Sequence, residues 1–98
     1  MSNFNEKCYS ILKKVPKGKV TTYKALAEAL KCKAYRAVGQ AMNKNNQFPI
    51  VPCHRVINSN GDIGGYALGI NKKIELLKEE GIEVINNKVD LNKFMHKL

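Results

Sequence analysis

The sequence contains no tryptophan, only 7% aromatic residues, and three cysteines without CxxC spacing among its 98 residues. An odd number of unpaired cysteines argues against a disulfide framework and against a zinc site of known spacing. The N-terminus lacks the basic and apolar segments of a signal peptide, and no apolar stretch is long enough to span a bilayer. We therefore expect a cytoplasmic protein with reduced thiols, no membrane association and no bound metal.

Acidic residues are also scarce, because eight Asp and Glu stand against 17 Lys and Arg and leave a net charge of +9. One interpretation is a solvated, lysine-rich surface. The other is a polyanionic partner, for which nucleic acid is the usual candidate. With 44% hydrophobic residues and no linker, repeat or low-complexity segment, residues 1–98 should form one small monomeric domain with one core.

The sequence does contain an apolar stretch, residues 49–57, with a thiol, an imidazole and a guanidinium at its centre. Burying three polar groups is unfavourable unless each is paired. Cys53 could be a small core hydrophobe, as most buried cysteines are, but His54 and Arg55 are then unexplained. The alternative is a nucleophile, because a thiolate is the reactive form and a nearby imidazole can take its proton. Adjacent side chains diverge, so we expect a water to bridge that proton path.

Apolar spacing predicts a mostly helical fold with a small β-hairpin. The hairpin is expected between residues 55–57 and 62–63, around an Asn-Gly turn at residues 59–61, and a weaker one around residues 86–87. The predicted helices cover residues 4–15, a segment capped by Thr21 or Thr22, residues 34–42, a segment from Ile70 to the stop at Gly81, and a last turn capped by Asp90.

The second and third predicted helices are short, closely connected and surrounded by lysines, which resembles a winged-helix-like helix-turn-helix domain. The pattern is moderately specific, since pairs of short helices also occur in proteins that do not bind DNA. Gly39 inside the third helix predicts a close helix contact. Residues 64–69 form a glycine-rich loop that lacks the Lys-Ser/Thr ending of a phosphate loop, but would let a flat ligand approach the backbone.

Together these motifs resemble the C-terminal, active-site domain of the O6-alkylguanine-DNA alkyltransferases. The resemblance covers about residues 4–81 and leaves residues 82–98 unassigned. The family's N-terminal domain, and the zinc site it sometimes carries, have no counterpart in the sequence. The resemblance is carried by Pro52-Cys53-His54-Arg55-Val56, Tyr23, residues 36–42, Asn45, residues 60–61 and 64–66, Lys73, Leu76-Leu77 and Glu80-Gly81.

The resemblance implies DNA repair by direct reversal. An alkyl group, usually methyl, would move irreversibly from O6 of guanine in double-stranded DNA to Cys53, once per molecule and without a cofactor. His54 would act as the base through a water, and Glu80 would orient it. The target base would first be flipped out of the stack, and Tyr23 would donate a hydrogen bond to the leaving guanine.

The resemblance also implies that the third helix enters the minor groove, where base sequence is poorly read. Arg36 would fill the gap left by the flipped base, although a phosphate contact would also explain it, and Tyr23 could equally be a core aromatic. Leu68, glycine in some members, should narrow the pocket and favour methyl adducts. Further DNA contacts would come from Ala37, Gly39 and Lys44, and the pocket would be lined by Asn45, Pro49, Val56, Tyr66, Ala67 and Leu68.

Three alternatives remain open. Alkyltransferase-like proteins share this fold but replace the cysteine, usually with tryptophan, and flag lesions for other repair enzymes. A helix-turn-helix transcription factor with an inert cysteine would show strong sequence preference. A Cys-His hydrolase would turn over repeatedly, whereas an S-alkyl cysteine at Cys53 is a stable thioether.

Overall fold

The computed structural model describes residues 4–31, 35–44, 51–66 and 68–98. In these ranges a 3₁₀ turn, Cys53–Arg55, directly precedes the second of two short strands. The elements are the helices α1 (Phe4–Leu12), α2 (Tyr23–Ala29), α3 (Tyr35–Asn43), α4 (Ile70–Glu79) and α5 (Leu91–Phe94), and the strands β1 (Thr21–Thr22) and β2 (Val56–Ile57). The mostly helical fold with a small sheet is therefore confirmed, and none of the described helices has the length and apolar character to cross a bilayer.

Local signals set the helix ends. Thr22 is extended (φ −121°, ψ 158°) and its hydroxyl accepts a hydrogen bond from the amide of Ala25 at 3.0 Å, so α2 begins at the next residue. At the end of α4, Gly81 adopts φ +84°, a left-handed conformation that favours glycine and stops the helix. Asp90 accepts from the amide of Asn92 at 3.0 Å and caps α5. All three predicted caps are confirmed.

The first predicted hairpin is wrong in its pairing. The turn forms, since Gly61 donates to the Asn58 carbonyl at 3.0 Å, but β2 pairs in parallel with β1, with Thr21 opposite Val56. Both residues of β2 are buried and need a partner inside the molecule, which β1 supplies. Asp62 forms its bridge with Lys88 instead.

The weaker hairpin around residues 86–87 is confirmed as one bridge between Ile85 and Lys88. Its two turn residues, Asn86 and Asn87, have φ of 52° and 61°, which a two-residue hairpin turn of this kind requires.

Two buried clusters meet at β2, where the sequence predicted one core. The first lies between α1, α2, α3 and the Cys53 turn, and includes Cys8, as predicted, and Val56. The second contains Ile57 and Phe94. Successive residues of a strand point to opposite sides, so β2 contributes one side chain to each cluster. The turn that carries Cys53 is therefore held between the two.

The tail after α4 packs on the second cluster and continues the sheet. Val20, just before β1, donates to the Phe94 carbonyl at 2.9 Å and accepts from the His96 amide at 2.8 Å. The Val89 amide donates to the Gly61 carbonyl at 2.8 Å. Residues 82–98, to which the sequence assigned no role, thus bind the segment before α2 and the segment after β2 through these hydrogen bonds.

The close helix contact predicted at Gly39 is not present, because no described atom outside its own helix and immediate neighbours lies within 4 Å of the place a Cβ would take. Gly39→Ala should therefore raise the free energy of unfolding by about 0.5–1 kcal/mol, the usual gain in a helix interior. Gly81 is a matched control with equally open space but positive φ, so Gly81→Ala should lower that free energy by about 1–2 kcal/mol. Urea unfolding measures both, and a destabilised Gly39→Ala would show that a contact does occupy the site.

Candidate active site and nucleic-acid interface

The Cys53 turn is held by short backbone hydrogen bonds. The Cys53 amide donates to the Val51 carbonyl at 2.9 Å, and the Arg55 amide donates to the Pro52 carbonyl at 3.0 Å. Cys53 is 6% exposed and His54 is 2% exposed. Cys53 is therefore nearly buried, on a turn that two backbone hydrogen bonds close.

The structure brings two residues of the proposed catalytic set, His54 and Glu80, into contact. Nε2 of His54 lies 2.8 Å from Oε2 of Glu80. Glu80 is the residue after the last turn of α4, so this contact joins α4 to the Cys53 turn. Sequence reasoning missed the third partner, Arg55, whose Nε and Nη2 donate to the two carboxylate oxygens of Glu80 at 2.9 and 2.7 Å.

Burial and charge set the protonation of this group. Burial lowers the pKa of His54 below its usual 6.5, and the hydrogen bond and charge of Glu80 only partly oppose the effect. Burial alone would raise the pKa of Glu80, but hydrogen bonds from Arg55 and His54 outweigh it and the pKa is lowered. Near pH 7 the imidazole is therefore neutral and able to accept a proton, while the carboxylate is ionised.

Tyrosines surround the thiol. The pKa of Tyr23 is raised by burial and then by the negative charge of a Cys53 thiolate, and the same causes raise the pKa of Tyr66 further. Both phenols therefore stay protonated and can donate. The Tyr66 hydroxyl lies beside Cys53 but makes no hydrogen bond of ordinary geometry to any described residue. Tyr9, on α1, donates to the Ala41 carbonyl at 2.6 Å.

Lys73 is a fully buried cation that sequence reasoning did not place in the core. Its Nζ donates to the carbonyls of Val56 at 2.7 Å and Gly65 at 3.0 Å, and to that of Ile63. Burial lowers its pKa to about 8. The available signal was position, since residue 73 lies one turn before Leu77 on the buried face of α4. Lys73 thus ties the glycine-rich loop to β2.

A concave surface is formed by Tyr23 together with residues of α3 and of the loop after β2. Arg36 and Gly39 of α3 line a cavity of about 290 Å³ together with Tyr23 and Asn58. An adjoining cavity of about 510 Å³ shares Tyr23 and Asn58. Among the described residues it is also lined by Lys24, Ser59 and Asn60, none of which the sequence placed in a DNA-binding surface.

The other predicted residues are more dispersed. On α3, Ala37 is half-buried, and Lys44 just beyond the helix is exposed. Val56 is buried in the first cluster with its carbonyl bonded to Lys73, whereas Leu68 is 61% exposed. Asn45, Pro49 and Ala67 lie outside the described residues. Among the described residues, no three His, Cys, Asp or Glu side chains are grouped to hold a metal ion.

Comparison with known proteins identifies the family. Residues 3–82 match the model of the 6-O-methylguanine DNA methyltransferase, DNA binding domain. This chain belongs to that family. A Picrophilus torridus relative named bifunctional methyltransferase/endonuclease is 47% identical over 87 residues, which are 88% of this chain and 29% of the relative. A Saccharolobus islandicus methylated-DNA–protein-cysteine methyltransferase is 51% identical over 71 residues, 72% of this chain and 46% of that protein.

Solved structures of related proteins agree with the fold. The Schizosaccharomyces pombe protein Atl1, solved with damaged DNA containing O6-carboxymethylguanine, superposes with a TM-score of 0.88 at 34% identity and covers 100% of this chain and 98% of Atl1. The Pyrococcus kodakaraensis O6-methylguanine-DNA methyltransferase superposes with a TM-score of 0.75 at 46% identity, covering 84% of this chain but 48% of that protein. The chain thus spans about half or less of the curated methyltransferases that it matches.

Lys73→Met should lower the free energy of unfolding by about 2–4 kcal/mol. The methionine fills similar space but leaves the buried carbonyls of Val56 and Ile63, and the partly buried carbonyl of Gly65, without their donor. The neighbouring Lys72→Met is the control, since Lys72 is exposed and should change stability by less than about 0.5 kcal/mol. Urea unfolding of the two variants decides. Equal small effects would contradict the role assigned to Lys73.

Proposed function

We propose that this protein repairs DNA by moving a methyl group from O6 of guanine to Cys53, once per molecule. The supporting observation is the buried Cys53 on the same turn as His54, whose imidazole lies 2.8 Å from the Glu80 carboxylate. An activated nucleophile needs a nearby base and a third group that orients the base. These residues also stand where the alkyltransferase pattern has its reactive set.

In the proposed reaction His54 accepts the thiol proton, by way of a water, and Glu80 stabilises the resulting imidazolium. The thiolate sulfur of Cys53 attacks the methyl carbon as the bond from that carbon to O6 breaks. The bonding electron pair stays on the guanine, and the Tyr23 phenol donates a hydrogen bond to the resulting anion as it leaves. The anion takes up a proton from solvent, and the His54 imidazolium returns its proton to solvent. The products are an unmodified guanine and a thioether on Cys53, which is too stable to regenerate the thiol.

The concave surface around Tyr23 supports duplex DNA as the substrate. A base inside a duplex must leave the stack before a buried thiol can reach it. Arg36 is exposed near the start of α3 and lines the cavity with Tyr23 and Gly39, and it would occupy the vacated position. Ala37, Gly39 and Lys44 would follow the minor groove. The net charge of +9 supports phosphate binding that weakens with added salt.

The substrate pocket is proposed to include Val56, Tyr66 and Leu68, together with Asn45, Pro49 and Ala67. The Val56 and Cys53 carbonyls each accept one hydrogen bond already, from Lys73 and from the Val56 amide. A carbonyl oxygen has two lone pairs, so each retains one for the exocyclic amine of guanine. The exposed Leu68 would restrict the entrance and favour methyl over bulky adducts.

A second candidate function is lesion binding without transfer. The observation that favours it is the match to Atl1 over essentially the full length of both chains, together with its complex containing O6-carboxymethylguanine. The presence of Cys53 favours transfer instead, because alkyltransferase-like proteins usually carry tryptophan at this position.

Incubating the protein with duplex DNA that contains O6-methylguanine should add one methyl group to the peptide that holds Cys53. Mass spectrometry of the digested protein measures this addition. Cys53→Ser should add nothing yet still bind the duplex, whereas Cys8→Ser should react normally because Cys8 lies in the core. A wild-type protein that binds the lesion but gains no mass would establish the second candidate.

Arg36→Gln should slow the methylation of Cys53 by duplex DNA by about tenfold or more. Flipping a base out of the stack costs a few kcal/mol, and the Arg36 side chain would offset part of that cost by filling the space that the base leaves. The variant's reaction with free O6-methylguanine should be unchanged, because a free base needs no flipping. Single-turnover rates with the two substrates give the comparison, with Lys78→Gln as a control for lost charge on an exposed helix face. Equal slowing with both substrates would refute this role for Arg36.

A further inference from the structure

The Arg55 side chain makes three hydrogen bonds, and the reaction proposed above assigns it no role. Its Nε and Nη2 donate to Oε1 and Oε2 of Glu80 at 2.9 and 2.7 Å, and its Nη1 donates to the Val15 carbonyl at 2.9 Å. A planar guanidinium that binds both oxygens of a carboxylate fixes its orientation in a way that lysine cannot. The side chains of Arg55 and Glu80 are only 15% and 10% exposed, so solvent screens this pair weakly.

Glu80 needs such a constraint because of where it stands. It is the C-cap of α4, beyond the last full turn, where a glutamate on its own has many rotamers. The Val15 carbonyl, in the segment after α1, holds the far end of the guanidinium. The Arg55 side chain therefore connects the Cys53 turn to the end of α4 and to the segment after α1.

Oε2 of Glu80 is shared, since it lies within hydrogen-bond distance of both His54 Nε2 and Arg55 Nη2. A carboxylate that also faces a guanidinium attracts an imidazolium less strongly than an unshared one would. Burial is the main cause that lowers the pKa of His54. Among the described residues, the charges of Arg55 and Lys73 lower it further, and the charge of Glu80 raises it.

We infer that Arg55 is a positioning residue, which holds Glu80 against His54 and keeps His54 neutral, and so able to act as a base, at lower pH than Glu80 alone would allow. This inference rests on the proposed transfer to Cys53 and adds a determinant of its pH dependence. In the folded protein the guanidinium opposes protonation of the imidazole. Removing the guanidinium should therefore move the loss of activity on acidification to higher pH.

Two variants separate the charge of Arg55 from its geometry. Arg55→Met removes both, so the acid limb of the single-turnover rate should move to higher pH by about one pH unit, the usual effect of one nearby charge. Arg55→Lys keeps the charge but loses the two-pronged contact, so the limb should stay in place while the rate at pH 8 falls by about tenfold or more. Lys78→Gln controls for lost charge, and Arg55→Gln serves if the methionine variant does not fold.

The titration of the His54 imidazole, followed by NMR on the folded proteins, gives a readout independent of transfer. The second histidine, His96, lies on the tail and provides an internal control in the same spectra. The His54 midpoint should rise in Arg55→Met and stay near the wild-type value in Arg55→Lys. A purely structural ion pair would lower the melting temperatures while leaving the midpoint unmoved, and that result would overturn the inference. If the wild type transfers nothing, the proposed function fails and the NMR titration still decides the role of Arg55.

Discussion

The Glu80 carboxylate is the interaction on which the rest of the site depends. A carboxylate that is largely removed from water is tolerated only when donors satisfy it, and here Arg55 and His54 do so. Because both donors follow Cys53 directly, satisfying Glu80 also fixes the turn that carries the thiol. One largely buried carboxylate therefore fixes the turn that carries the nucleophile and partly offsets the effect of burial on the pKa of His54.

The remainder of the fold can be understood as support for that turn. β2 leaves the turn and is paired on one side by β1, which leads straight into Tyr23. Lys73 donates both to the Gly65 carbonyl in the glycine-rich loop and to the carbonyl of Val56, the residue that follows the turn. The tail then bonds to Val20 and holds β1 in place. In this chain of 98 residues, a small number of buried polar contacts thus adds to the two apolar clusters that hold the site.

Features encoded locally could be predicted from the sequence, and features made by distant residues could not. The caps at Thr22 and Gly81 and the turn at residues 86–87 follow from single residue types. The parallel pairing of β1 with β2 joins residues 35 positions apart, and no local sequence pattern predicts it. The choice of Glu80 as the partner of His54 came from the family resemblance. Lys73 was part of that resemblance, but its burial was not predicted because a lysine is normally expected at the surface.

The role of the Glu80 charge can be tested with a substitution that changes little besides the charge. Glu80→Gln keeps the shape of the side chain and one acceptor oxygen but removes the charge that would stabilise a protonated His54. The single-turnover rate of Cys53 methylation by duplex DNA containing O6-methylguanine, taken per folded molecule, is the measurement. Our account predicts a loss of about a hundredfold or more with lesion binding retained, in the range expected for general-base catalysis. A rate equal to that of the wild type would contradict it.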